Sequence, residues 1–373
     1  MNKLRELAKL GQSIWLDFIR RSFIDSGELK SLIDDGVRGV TSNPTIFEKA
    51  IAGSSDYDEQ LAELAMPAKS GISTIDEMYE ALVLEDIRRV SELLRSVWDS
   101  SAGADGYVSL EVSPELARDT GGTIAEARRL FNTLGKDNVM IKVPATKEGI
   151  PAIETLIADG INVNATLIFS LDHYAGVAKA YISGLEKLAE SGGDLGRVAS
   201  VASFFVSRVD TAVDKALEEL GEEELKGKIA IANAKAAVLL AKKLYSGARW
   251  QKLTERGARA QRLLWASTGT KNPAYPDTLY LDTLIGPDTV NTVPPATLEA
   301  FLDHGTVAST LESELEKAVL QLERLASLGV DLVQVTEKLQ VAGVEAFANS
   351  FRALHQAIEE KAKILKDGER RHA

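Results

Sequence analysis

Lys142 stands inside an otherwise apolar run, VMIKVPAT, spanning residues 139–146. If the run is a strand, its period of two puts Val139, Ile141 and Val143 on one face and Met140 and Lys142 on the other. With the first set turned to covering helices, Lys142 points to the opposite, interior side. A charged amine buried without a partner costs several kcal/mol, and its pKa falls toward neutrality. A neutral amine is a nucleophile, and its natural target is a carbonyl. The plainer alternative is a lysine held by a carboxylate at a strand end. Two carboxylates are positioned to meet it. In YVSLEVSPE, Val108, Leu110 and Val112 form one face, and Ser109, Glu111 and Ser113 the other. In IWLDF, Asp17 occupies a similar place. Two carboxylates beside one amine supply the proton transfers that imine chemistry needs, although simple charge balance would also place them there. Lys147, in the loop that follows, is expected to be exposed.

Further polar residues recur at the ends of other apolar runs. Asn43 lies in TSNPTIF, where the following proline holds it extended; turn chemistry is its other reading. NVNATLIF sets Asn164 and Thr166 on one face. Buried amides and hydroxyls need hydrogen-bond partners, which a polyhydroxylated substrate would provide. VASFFVSR contributes Ser203, Phe205, Ser207 and Arg208, and WASTGTKNP contributes Ser267, Gly269 and Lys271. Arg208 and Lys271, with serines beside them, are suited to hold one phosphate, although an arginine such as Arg208 is more often a surface charge.

Eight short segments have strand character: Ile14–Phe18, Val37–Thr41, Tyr107–Val112, Val139–Val143, Ile161–Phe169, Val198–Val206, Arg262–Ala266 and Thr278–Ile285. Helical patterns alternate with them, among them Ile75–Asp99, Pro151–Asp159, Leu171–Ser191 and Arg208–Glu219. Strand and helix alternating eight times predict a closed (β/α)8 TIM barrel. The stretch from Asn43 to Asp105 exceeds one crossover and is expected to carry extra helices. Leu311–Ser327 and Asp331–Asp367 are expected to be C-terminal helices that close the barrel or cover its mouth. The chain, 1–373, is expected to be one domain, with C-terminal helices over roughly 295–373. The polar residues fall at the C-terminal ends of the strands, where barrels of this kind carry their sites. No G-x-G-x-x-G follows the first strand, so dinucleotide binding has no support.

Composition narrows the field. There is no cysteine, which excludes disulfides and thiolate metal sites. The four histidines are scattered, so a histidine metal centre is not expected. A net charge of −12 argues against nucleic-acid and anionic-membrane partners, yet a few local cations suffice for a small anionic substrate. Ile229–Tyr245, the most apolar helical stretch, is interrupted by Asn233, Lys235, Lys242 and Lys243 and does not suit a membrane span. The amino-terminal segment lacks a signal-peptide pattern, and a cytoplasmic location is the expectation.

Taken together, TSNPTIF, SLEVSP, MIKVPATKEGI, INVNATLIFS, ASFFVSRVD, WASTGTKNP and TLIGPDTVNTVP resemble the transaldolase family, over roughly Trp15 to Pro294. The resemblance implies a barrel enzyme with a Schiff-base lysine at Lys142. It would move a dihydroxyacetone unit from a ketose phosphate (fructose 6-phosphate or sedoheptulose 7-phosphate) to an aldose phosphate. It implies Asp17 as the acid/base at the C4 hydroxyl, and Glu111 and Thr166 as the groups that, with a water, dehydrate the carbinolamine. Asn43 and Asn164 would hold the dihydroxyacetone hydroxyls, Ser203 and Phe205 line the pocket, and Arg208 and Ser267 bind phosphate. No metal or organic cofactor is implied, and the partners are sugar phosphates, with a monomer or homodimer as the assembly. Many members carry an arginine two residues after the serine matching Ser267. Here the segment is STGTKN, and Lys271 is the nearest cation. A lyase resembling fructose-6-phosphate aldolase is the alternative. Such enzymes tend to have Gln where Glu111 stands and Tyr where Phe205 stands.

Overall fold

Apolar runs buried on both faces can be satisfied only by a sheet with its other side filled. In a computed structural model, which describes residues 2–66 and 70–372, the chain does this by closing the sheet on itself. The strands are β1 (Gln12–Leu16), β2 (Gly39–Thr41), β3 (Tyr107–Glu111), β4 (Val139–Pro144), β5 (Val163–Ile168), β6 (Ser200–Phe205), β7 (Arg262–Ala266) and β8 (Thr289–Val293). They follow one another around a closed barrel in chain order, all parallel, with β8 returning to β1. The fold is the (β/α)8 barrel expected from the alternation.

The eighth strand is not where the apolar pattern placed it. Within the expected strand Thr278–Ile285 the chain forms a short helix, Leu279–Asp282, which Thr278 tightens by donating its hydroxyl to Asp282 at 2.8 Å. The strand itself is Thr289–Val293. Two of its three positions turned away from the barrel axis are Thr289 and Asn291, so it lacks the apolar signature. Tyr280, Leu281, Leu284 and Ile285 instead bury their side chains as a packed turn.

Between β2 and β3 lie the helices Pro44–Ala52, Asp58–Leu64, Ile75–Leu93 and Arg95–Ser100, as the length of the insertion predicted. Beyond β8 come Pro295–His304, Leu315–Ser327 and the long helix Leu332–His372. The last packs on Pro44–Ala52, on Asp58–Leu64 and on the helix Ser207–Glu219, and so crosses the mouth of the barrel. No helix among the described residues is long and apolar enough to cross a membrane.

The barrel interior is filled in tiers. At the N-terminal end Trp15 donates to Asp105 at 3.0 Å and Arg262 pairs with the same carboxylate at 3.1 Å. Gly39 makes room for the indole, since a Cβ there would lie 2.5 Å from the Trp15 ring. In the middle tier Asn164 donates to Ser109 at 3.1 Å and accepts from Ser203 at 2.7 Å. The upper tier opens to solvent at the strands' C-terminal ends and carries the charged residues.

Candidate active site

Three successive residues at the end of β2 organise the upper tier. Thr41 donates its hydroxyl to Asp17 at 2.7 Å and lies 2.6 Å from the hydroxyl of Thr292 on β8. The carbonyl of Ser42 accepts from Lys142 Nζ at 3.0 Å. Asn43 is extended (φ −157°, ψ 168°), and its Oδ1 accepts from the Ile46 amide at 3.0 Å. It thereby caps the helix that Pro44 begins. Asn43 is thus a turn residue that also reaches the site.

Lys142 faces the interior from β4, and its side chain is 6% exposed. Glu111, opposite it in the β3–β4 register, places Oε2 3.4 Å from Nζ. Asp17 follows the last residue of β1, and its amide continues the ladder by donating to Val293 O at 2.8 Å. Burial pushes the carboxyls of Asp17 and Glu111 above their ordinary range, and the Lys142 ammonium opposes both shifts. Arg208 and Lys271 also favour ionised Asp17. Both Glu111 oxygens and the Thr166 hydroxyl are buried with no hydrogen-bond partner among the described residues. Buried polar atoms in that state are unusual away from places where a ligand or water is handled.

These groups meet at a cavity of about 470 Å³. Asp17, Asn43, Lys142, Thr166, Ser203, Phe205, Arg208, Ser267 and Lys271 all line it, so most of the residues marked in the sequence come together. Glu111 and Asn164 do not reach its wall. Glu111 lies behind Lys142, and both polar ends of Asn164 are bonded to Ser109 and Ser203. Arg208 is set over the Phe205 ring, 5.4 Å from its centroid. Ser267 takes a left-handed backbone (φ 55°), rare outside glycine, and its hydroxyl lies 2.9 Å from that of Ser207. Lys147 is exposed, as expected.

The sequence reading overlooked Thr41, Ser42, Thr292, Lys49 and Phe347. The first two adjoin Asn43 in the same motif and were within reach of it. Thr292 lies in the strand whose position was misjudged. Phe347, on Leu332–His372, lines the cavity from above, and nothing in its local sequence marks it.

Chemically, the arrangement offers an amine able to add to a carbonyl, two carboxylates to move protons, and a cationic end formed by Arg208 and Lys271. Residues 14–358 match the family described as Transaldolase/Fructose-6-phosphate aldolase. The chain belongs to this family. It is 46% identical to Transaldolase 2 of Nostoc punctiforme and 47% identical to a transaldolase of Trichodesmium erythraeum, with 98% of each chain covered in both cases. It is 49% identical to a transaldolase of Parafrankia, covering 96% of this chain and 97% of the relative. Transaldolase similarity therefore extends through the C-terminal helices as well as the barrel.

Proposed function

We propose that this protein is a transaldolase that carries a dihydroxyacetone unit on Lys142 from a ketose phosphate to an aldose phosphate. The observation that carries the reading is the placement of Lys142: a buried amine at the active end of the barrel, with Glu111 at 3.4 Å and a cavity beyond it lined by Asp17 and by the cations Arg208 and Lys271.

The amine adds to the ketose C2 carbonyl to give a carbinolamine. Glu111 and Thr166, acting through a water, protonate the departing hydroxyl and leave an iminium ion. Asp17 takes the C4 hydroxyl proton, the C3–C4 bond breaks, and its electrons pass into the iminium as an enamine. The aldose phosphate leaves. An acceptor aldehyde then takes the carbon nucleophile, Asp17 returns the proton to the new hydroxyl, and hydrolysis frees Lys142. Arg208, Lys271 and Ser267 hold the phosphate. Asn43 binds the dihydroxyacetone hydroxyls, while Asn164 acts on them through Ser203. Phe205 shapes the wall.

The chain is read as one domain, 1–373, whose C-terminal helices belong to the site. A cytoplasmic location, no nucleic-acid partner and a monomer or homodimer complete the assignment. The second reading is release of free dihydroxyacetone. Glu111 and Phe205 stand where releasing relatives tend to carry Gln and Tyr, which favours transfer. The two are separated by supplying fructose 6-phosphate and erythrose 4-phosphate and quantifying products. Transfer yields sedoheptulose 7-phosphate and glyceraldehyde 3-phosphate in equal amounts. Free dihydroxyacetone accumulating in step with glyceraldehyde 3-phosphate would make the protein a lyase.

A further inference from the structure

The long helix Leu332–His372 does more than roof the cavity. Gln340 is buried on it, at 8% exposure. Its Nε2 donates to Ala145 O at 2.9 Å and to Leu167 O at 3.0 Å. Ala145 is the residue after β4, the strand of Lys142, and Leu167 is the residue after Thr166 on β5. The same amide lies 3.4 Å from His173 Nδ1, and His173 is tied back to the helix by Glu337 at 2.8 Å.

Leu167 is the irregular point of the barrel. Ala165 pairs with Ala202 and Ile168 with Phe204, so β5 spends three residues where β6 spends two. Leu167 absorbs the extra residue in a left-handed conformation (φ 59°). For a bulky residue that conformation is strained and persists only when surroundings enforce it. Two contacts from the helix do so. Gln340 satisfies the displaced carbonyl. One turn on, Gly343 lies so close that a Cβ would be 2.9 Å from Leu167 Cδ2. Thr166 is pinned from the other side, because its carbonyl accepts from the Ala145 amide at 2.7 Å.

We infer that Gln340 is a positioning residue for imine formation: by holding the β5 bulge and the end of β4 together, it fixes where the Thr166 hydroxyl lies relative to Lys142 and Glu111. The regular pairing of Asn164 and Ala165 keeps Thr166 on the inner face without Gln340, so losing both donors shifts its hydroxyl relative to Lys142 rather than turning it away. Lys142 and the phosphate ligands stay in place, so ketose binding survives while dehydration of the carbinolamine slows.

The inference rests on the imine chemistry proposed for Lys142, and the test separates the two. The unaltered enzyme, Gln340→Leu and Gln340→Glu are mixed with fructose 6-phosphate and quenched with borohydride over time, with kcat and KM measured alongside. Gln340→Leu, which keeps the volume and removes both donors, should slow adduct formation by on the order of ten- to a hundredfold, with ketose KM within about threefold of the parent. Gln340→Glu supplies a readout independent of folding yield. Its neutral carboxyl still donates and its ionised form repels both carbonyls, so its rate relative to the parent should climb as pH falls from about 8 to 5. Unchanged adduct kinetics in Gln340→Leu, or a Gln340→Glu profile parallel to the parent's, would overturn the inference. No adduct in the unaltered enzyme would instead remove the Lys142 reading on which it stands.

Discussion

At the scale of single residues, the site rests on opposed electrostatic effects. Burial drives Asp17 and Glu111 toward their neutral forms, and the Lys142 ammonium draws both back. Carboxyls raised in this way take up a proton more readily than an ordinary carboxylate does. Glu111 is assigned to dehydration because it lies behind the amine, off the cavity wall. Glu111→Gln should therefore slow borohydride-trappable imine formation by about two orders of magnitude, the usual weight of a positioned proton donor, and change ketose affinity little. If affinity fell and the imine rate held, Glu111 would be a substrate-positioning residue. Lys142, Glu111 and Asp17 were legible in the sequence because a charge inside an apolar strand is an anomaly. Thr41 was not, because threonine is an ordinary strand residue. The Ser42 carbonyl that receives Lys142 has no signature at all, since every residue has one.

At the scale of elements, the helix Ser207–Glu219 ties the phosphate end of the site together. It begins with Ser207 and Arg208 and continues with two carboxylates that hold the loop after β7. Asp210 accepts from the Ala230 amide at 2.7 Å and the Tyr280 hydroxyl at 2.9 Å. Asp214 accepts from Tyr275 at 2.6 Å and the Gly227 amide at 3.0 Å. The loop they fasten carries Lys271. Burial pushes Asp210 up to about 7. An acid raised in the folded state binds a proton that the unfolded chain has released, so its contribution to stability falls as pH rises from about 4 to about 7 and is level above that. Asp210→Asn removes this dependence. Its stability relative to the parent in urea unfolding should grow between about pH 5 and 7 by up to about 3 kcal/mol, at about 1.4 kcal/mol per pH unit. A difference constant across that range would place the Asp210 proton elsewhere. The same region shows where pattern reading fails. Residues 278–285 looked like a strand because their apolar density is high, and Thr289–Val293 did not because its helix-facing side is polar.

At the scale of the molecule, the two ends of the barrel have separate duties. Asp105, Arg262 and Trp15 close the N-terminal end with a satisfied polar plug, and the C-terminal end keeps its polar groups for chemistry. Arg208 and Lys271 gather at that end of a chain whose net charge is −12, which concentrates the attraction for an anionic substrate at the cavity. The closed barrel was legible in eight alternations of strand and helix. The part played by Leu332–His372 was legible only as a helix near the mouth, because Gln340 and Phe347 act on segments more than a hundred residues away. Among all the lysines of the chain, the account assigns covalent chemistry to one. The most direct test is borohydride reduction in the presence of fructose 6-phosphate, followed by intact mass and peptide mapping, on the unaltered protein and on Lys142→Ala. The account predicts one dihydroxyacetone-sized adduct, on the peptide containing Lys142, depleted when erythrose 4-phosphate is present and absent from a folded Lys142→Ala. An adduct that persists in Lys142→Ala, or maps to another lysine, would contradict it.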